Sequence, residues 1–287
     1  MSRNRAILGQ VYFALFILYL LVPLAVMAGA AFNDSKLPTV APWKGLTGRW
    51  FSDLFADQTM WGAFANSILV ALAVVALAVP IGTAAAIVLN SISGKYRATL
   101  YGIMVAPVLA PGLVIGISTV LFWNQMGNAV GASGSWPFGR GLHLSALGQV
   151  SYIAAYVMLL VLARLQSFDP GLEEAALDLG ANHGQVLRRI LLPHLYPAIL
   201  ASSAIAFFQS IENFNVTLFT KANATTLTVY VFSQVRSGIT PKINALAFLL
   251  ILLTLVLALV YEMKRRRRAK IEAAREAEAR RAEEAML

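Results

Sequence analysis

The sequence predicts an all-α integral membrane protein of six transmembrane helices, with both termini on the cytoplasmic side. Three observations predict it. The chain is 58% hydrophobic and only 13% charged, against about 25% charged residues in a soluble domain. Its apolar residues gather into six runs, each near the roughly 20 residues needed to cross the hydrocarbon core. A basic block, Lys264 to Arg268, directly follows the last run, where positive charge keeps the end of a span in the cytoplasm.

The first run, residues 7–31, follows Arg3 and Arg5. Ala28-Gly29-Ala30 resembles a signal cleavage site, but the run is longer than a secretory h-region, so residues 1–31 read as an uncleaved first helix. Residues 32–63 form a periplasmic segment, and the second span covers 64–89. The third, 100–123, contains Pro107, Pro111, Gly112 and Gly116, which can bend a membrane helix and free backbone carbonyls to line a pore. The fourth, 144–163, ends on Arg164, read as an interfacial anchor. The fifth covers 190–211 and the sixth 243–261. None alternates as an outer-membrane barrel strand does. Residues 64–263 thus make a five-helix core domain, and the Ala/Glu/Arg-rich tail, 264–287, is expected to be a charged cytoplasmic helix.

Composition removes several functions. With no cysteine there is no disulfide, thiol catalysis or Cys-ligated metal. His143, His183 and His194 are scattered, so no metal site is expected, and no catalytic constellation occurs at usable spacing. The net charge of +9 does not indicate nucleic acid, because nine of the 23 basic residues lie from Lys264 onward. A basic block beside a span meets anionic membrane lipid. Gly94-Lys95 is not a phosphate-binding loop, since Leu89 stands where the first glycine belongs and Tyr96 where Ser or Thr belongs. No cofactor is therefore expected on this chain.

The stretch 167–193 is the most charged cytoplasmic loop of the bundle. Asp169-Pro170 reads as a helix start, and Glu173 and Glu174 follow where carboxylates favour the positive end of the helix dipole. Gly180 can end this helix in the left-handed conformation. Asn182 with Gln185 forms a capping-box pattern that opens a second helix leading into the fifth span. Small Ala175 and Ala176 permit close approach by another surface, and Glu174 and Asp178, four apart, share a face.

Glu174-Ala175-Ala176, three residues, Gly180, nine residues, then Ile190-x-Leu192-Pro193 resembles the EAA signature of binding-protein-dependent ABC importer permeases at every fixed position. The resemblance implies a MetI-like type I ABC importer transmembrane domain in a bacterial inner membrane. Its first loop helix would be a coupling helix, with Glu173, Glu174, Ala175, Ala176, Asp178 and Gly180 at the contact with a cytoplasmic ATP-binding cassette ATPase dimer, which would hold the ATP and Mg. A second permease, forming a heterodimer, and a periplasmic solute-binding protein complete the implied assembly. Phe32-Asn33-Asp34-Ser35, Asn66-Ser67, Gly82-Thr83, Leu227-Thr228-Val229-Tyr230 and Ile243-Asn244-Ala245 are similar to the spermidine/putrescine permease branch, most of all its C-type permease.

Polar groups inside spans are functional candidates because they cost energy there. Gln209, Glu212, Asn213 and Asn215, near the outer end of the fifth span, are the expected solute path, with Gln209, Glu212 and Asn215 on one helical face. A carboxylate there suits a cation. The resemblance departs at Glu212-Asn213, where polyamine-type relatives tend to carry two acidic residues. The competing expectation is a membrane scaffold or receptor that docks an ATPase without moving solute.

Overall fold

The computed structural model describes residues 3–238 and 240–284. Along the chain come α1 (Arg3–Phe32), α2 (Arg49–Phe55), α3 (Gln58–Ser91), α4 (Lys95–Leu109), α5 (Gly112–Ala129) and α6 (Leu142–Leu165). Then follow α7 (Gly171–Asp178), α8 (His183–Val186), a π-helical turn over Leu187–Leu191, α9 (Leu192–Ile211), α10 (Asn215–Thr220), α11 (Leu227–Arg236) and α12 (Pro241–Glu284). Among the described residues β pairing is limited to one isolated bridge between Asn33 and Leu46. The chain divides into two compact units, one of residues up to 57 and from 234 onward, the other of residues 58–233.

In the first unit α12 packs along α1 and α2. Phe32, Phe51 and Phe248 join these three helices in an aromatic cluster with centroids 5.1–5.9 Å apart. Fully buried Asn33 organises the loop after α1. Its Nδ2 donates to the carbonyls of Thr39 and Pro42, its Oδ1 accepts from Lys44 N, and its own carbonyl accepts from Trp50 Nε1. One buried amide thereby satisfies a turn that has no sheet or helix of its own. Helix α12 runs on from its apolar part through Glu284, as expected of the tail; residues 285–287 lie outside the described residues.

The second unit is built on α6, which packs against α3, α9, α4, α10 and α5. Lipid is as apolar as leucine, so close packing rather than water exclusion joins helices in a membrane, and small residues permit it. Ala78, Gly82 and Ala86 recur every four residues on α3 and meet the Ala154–Val157 region of α6. A Cβ on Gly82 would lie within 2.7 Å of Val157 Cβ and closer still to the carbonyl oxygen of Ala154.

The third span carries the bend that its prolines and glycines allow, and a sharp one: α4 and α5 meet at 103°. Among the described residues five helices are long and apolar enough to cross a membrane, six with this bent pair counted as one span. Pro111 lacks an N–H and holds the residue before it out of the helical region; Ala110 and Pro111 both take extended ψ, 136° and 133°. Helix α3 starts at Gln58, six residues ahead of the expected span boundary at 64, and Met60 and Ala63 in this extension are buried.

Candidate functional site

The charged loop folds as a hairpin of two short helices. Asp169 Oδ1 accepts from Gly171 N at 2.9 Å and so caps α7 from one residue earlier than a regular N-cap position. At the other end Gly180 takes φ +86°. Its N–H bonds to Leu177 O, and that of Ala181 to Ala176 O, the paired bonds of a Schellman motif. Asn182 and Gln185 make both reciprocal capping-box bonds, each at 2.9 Å. The second helix enters α9 through the π-helical turn at Leu187–Leu191, which the sequence did not announce. Pro193 crowds the carbonyl four residues before it, that of Arg189, and the wider turn relieves that crowding.

The hairpin is tied to the bundle at its base. Arg164 Nε donates to His194 O at 3.2 Å, and the Phe168 and His194 rings meet at 5.2 Å. Arg164 therefore links the end of α6 to the start of α9. Away from this base α7 is open. Glu174, Ala175 and Asp178 are exposed, Glu173 and Ala176 half-buried. Leu172 and Leu179 expose 53% and 89% of their surface. Leu172, Ala175 and Leu179 recur at i, i+3 and i+7, an apolar stripe beside the two-carboxylate face of Glu174 and Asp178. A short helix with acidic and apolar strips turned outward has the chemistry of a docking element.

Gln209, Glu212, Asn213 and Asn215 all line one cavity of about 400 Å³, together with Tyr152, Tyr156 and Phe214. A continuous helix face does not bring them together: α9 stops at Ile211, and Asn215 opens α10. The helix ends because Asn213 caps its successor. Asn213 Oδ1 accepts from Val216 N and Thr217 N at 3.1 and 3.3 Å, its Nδ2 donates to Tyr152 Oη at 2.8 Å, and its carbonyl accepts from Thr228 Oγ1. Asn213 is thus engaged within the fold, whereas the Glu212 carboxylate makes no ion pair or hydrogen bond with another described residue. Among the described residues no cluster of His, Cys, Asp and Glu is suited to a metal.

Sequence reasoning missed Tyr152, Tyr156 and Gln149. The signal was available, since two tyrosines four apart and a glutamine interrupt an otherwise apolar fourth span. Gln149 is fully buried; its Oε1 accepts from Ser210 Oγ at 2.6 Å and its Nε2 donates to Thr217 Oγ1 at 2.9 Å, fixing α9 and α10 on α6. Gln149→Leu leaves both hydroxyls without this partner. The expected destabilisation is about 1–2 kcal/mol, within the range for polar contacts between membrane helices, read as a lowered melting temperature in detergent.

The fold is thus a membrane bundle that carries a polar cavity at one end and an outward-turned helical hairpin at the other. The chain belongs to the family of binding-protein-dependent transport system inner membrane components, whose model matches residues 78–270. It is a permease subunit of an ABC importer, not an enzyme; in such systems the ATPase is a separate chain. Among its relatives is the putrescine transport system permease protein PotI of Escherichia coli K12, 36% identical over 81% of this chain and 82% of that one. The spermidine/putrescine transport system permease protein PotC of Haemophilus influenzae is 27% identical over 91% and 97%. In fold the chain is similar to a bacterial ABC transporter involved in the import of the acidic polysaccharide alginate, with a TM-score of 0.70, 20% identity, and coverage of 92% and 96%.

Proposed function

We propose that this permease moves a small cationic amine of the putrescine and spermidine class into the cytoplasm by alternating access. The observation that carries the reading is the outer cavity. Its one carboxylate, Glu212, has no cationic partner among the described residues, two tyrosine rings stand beside it, and no basic residue lines it. A carboxylate with aromatic faces attracts an ammonium group by charge and by cation–π contact. The 36% identity to PotI supports the same solute class.

In this reading Gln209, Glu212, Asn213 and Asn215 belong to the solute path, with Asn213 shaping it. The face of α7 formed by Glu173, Glu174, Ala175, Ala176 and Asp178, closed by Gly180, seats in a cytoplasmic ATPase dimer that binds ATP and Mg. A different permease subunit and a periplasmic solute-binding protein complete the complex, in a bacterial inner membrane with both termini of this chain inside. The core permease domain is 64–263, flanked by the first helix and the charged tail. An energy source shifts a conformational equilibrium only through contacts that differ between the two states. ATPase closure displaces α7, and the Arg164–His194 and Phe168–His194 contacts carry the displacement into α6 and α9.

Competition against labelled putrescine uptake, in vesicles carrying the whole complex, tests the solute class. Short diamines and triamines are expected to compete, and neutral or acidic solutes are not. Glu212→Gln is expected to lower uptake efficiency at least about tenfold, the scale of one charge contact at an effective dielectric near 20. Equal competition by an acidic sugar, or a Glu212→Gln variant with unaltered uptake, contradicts the assignment.

A further inference from the structure

The two ends of the proposed path carry opposite charge. On α6, Tyr152 and Tyr156 line the outer cavity, whereas Leu159, Ala163 and Gln166 line a second cavity of about 540 Å³. The intervals are four, three, four and three residues, so these five side chains form one stripe on a single helix face. At 1.5 Å per residue the stripe is about 21 Å long, most of the roughly 30 Å hydrocarbon core. The second cavity lies at the end of α6 that leads into α7, where Arg97 and Tyr101 of α4 face it.

No acidic residue lines this inner cavity. The Arg97 guanidinium makes no ion pair or hydrogen bond with another described residue, and the polar ends of Tyr101 and Gln166 are equally unengaged. Glu212 at the outer end and Arg97 at the inner end are therefore both exposed charges with no ion-pair partner among the described residues, at opposite ends of one α6 stripe.

We infer that Arg97 makes the cytoplasmic end of the path a low-affinity exit for a cation. The inference rests on the amine-importer reading above. A positive solute is drawn to Glu212 on entry and repelled by Arg97 on exit, so accumulated solute does not rebind from the cytoplasm. A like charge about 10 Å away at this open, exposed site reduces occupancy by roughly two- to tenfold. A basic pocket between spans is also a place for an anionic lipid headgroup; continuity of the α6 stripe with the outer cavity favours the path.

The test uses right-side-out vesicles containing the whole complex, energised from within and preloaded with graded unlabelled putrescine. The quantity read is the preload that halves ATP-driven uptake of labelled putrescine, taken against each variant's own unloaded rate, so differences in expression or basal rate cancel. This preload is expected to fall about two- to tenfold in Arg97→Gln, further in Arg97→Glu, and to stay at the wild-type value in Arg97→Lys. An unchanged value in both Arg97→Gln and Arg97→Glu overturns the inference. So does a dependence of uptake on the anionic lipid content that Arg97→Gln abolishes without moving the half-inhibiting preload; that result assigns the cavity to a lipid headgroup. Wild-type vesicles that show no ATP-driven uptake at all defeat the importer reading itself, a failure visible before any variant is measured.

Discussion

Glu174→Arg is expected to release the ATPase from the purified complex and reduce solute uptake to background, while the amount of permease in the membrane stays near wild type. Glu174 is exposed on α7 and its side chain makes no hydrogen bond or ion pair with another described residue, so the substitution removes no side-chain contact from this chain's own fold. It does reverse charge in the first turn of α7, where the helix dipole favours an acid. That intrachain cost is about 0.3–1 kcal/mol at an exposed helix end, too little to unfold a bundle. A large loss therefore has to arise at the contact. Charge reversal within a buried interface commonly costs several kcal/mol, enough to reduce occupancy of the complex by a hundredfold or more. Co-purification of the ATPase with the tagged permease measures it. Retention of the ATPase at wild-type level by Glu174→Arg would place the coupling contact elsewhere.

Gly82→Ala is expected to produce the largest loss of stability. The added methyl meets the Ala154 carbonyl oxygen and both Cβ and Cγ1 of Val157. The Val157 Cγ1 methyl can rotate away, but its Cβ and a helix carbonyl cannot, so α3 and α6 must separate. Overpacking of this kind costs about 1–3 kcal/mol and sometimes more, and here it falls on the pair of helices at the centre of the bundle. Gly62→Ala on the same helix is the control: its added methyl meets nothing within 4 Å, and alanine gains up to about 1 kcal/mol over glycine inside a helix. Thermal unfolding in detergent should therefore move down for Gly82→Ala and stay or rise for Gly62→Ala. Adding Val157→Ala should restore only part of the loss, because the carbonyl and Cβ contacts remain.

The elements most legible in the sequence were those governed by local rules. Gly180 and the Asn182–Gln185 capping box depend on a few adjacent residues, and the hairpin they define lies where the pattern placed it. Spans were legible from length and apolarity, which report what lipid tolerates but not whether the backbone continues. Prolines at 107 and 111 announced a bend, yet its size, 103°, depends on α5 leaning against α10, where Gly112 and Gly116 give Asn215 and Val216 room. The outer cavity was half legible. Its fifth-span residues were found by their polarity, but the assumption of one continuous helix concealed that Asn213 ends α9 by capping α10. Tyr152, Tyr156 and Gln149 reach the same region from a distant segment, and only tertiary packing reveals that neighbourhood.

The most direct measurement is ATP-driven accumulation of labelled putrescine by the complete complex, with its own solute-binding protein, in sealed vesicles. The predicted result is uptake against a gradient that needs ATP, the binding protein and Glu174 together. A complex that assembles on α7 and hydrolyses ATP while no amine enters the vesicle would contradict the amine assignment.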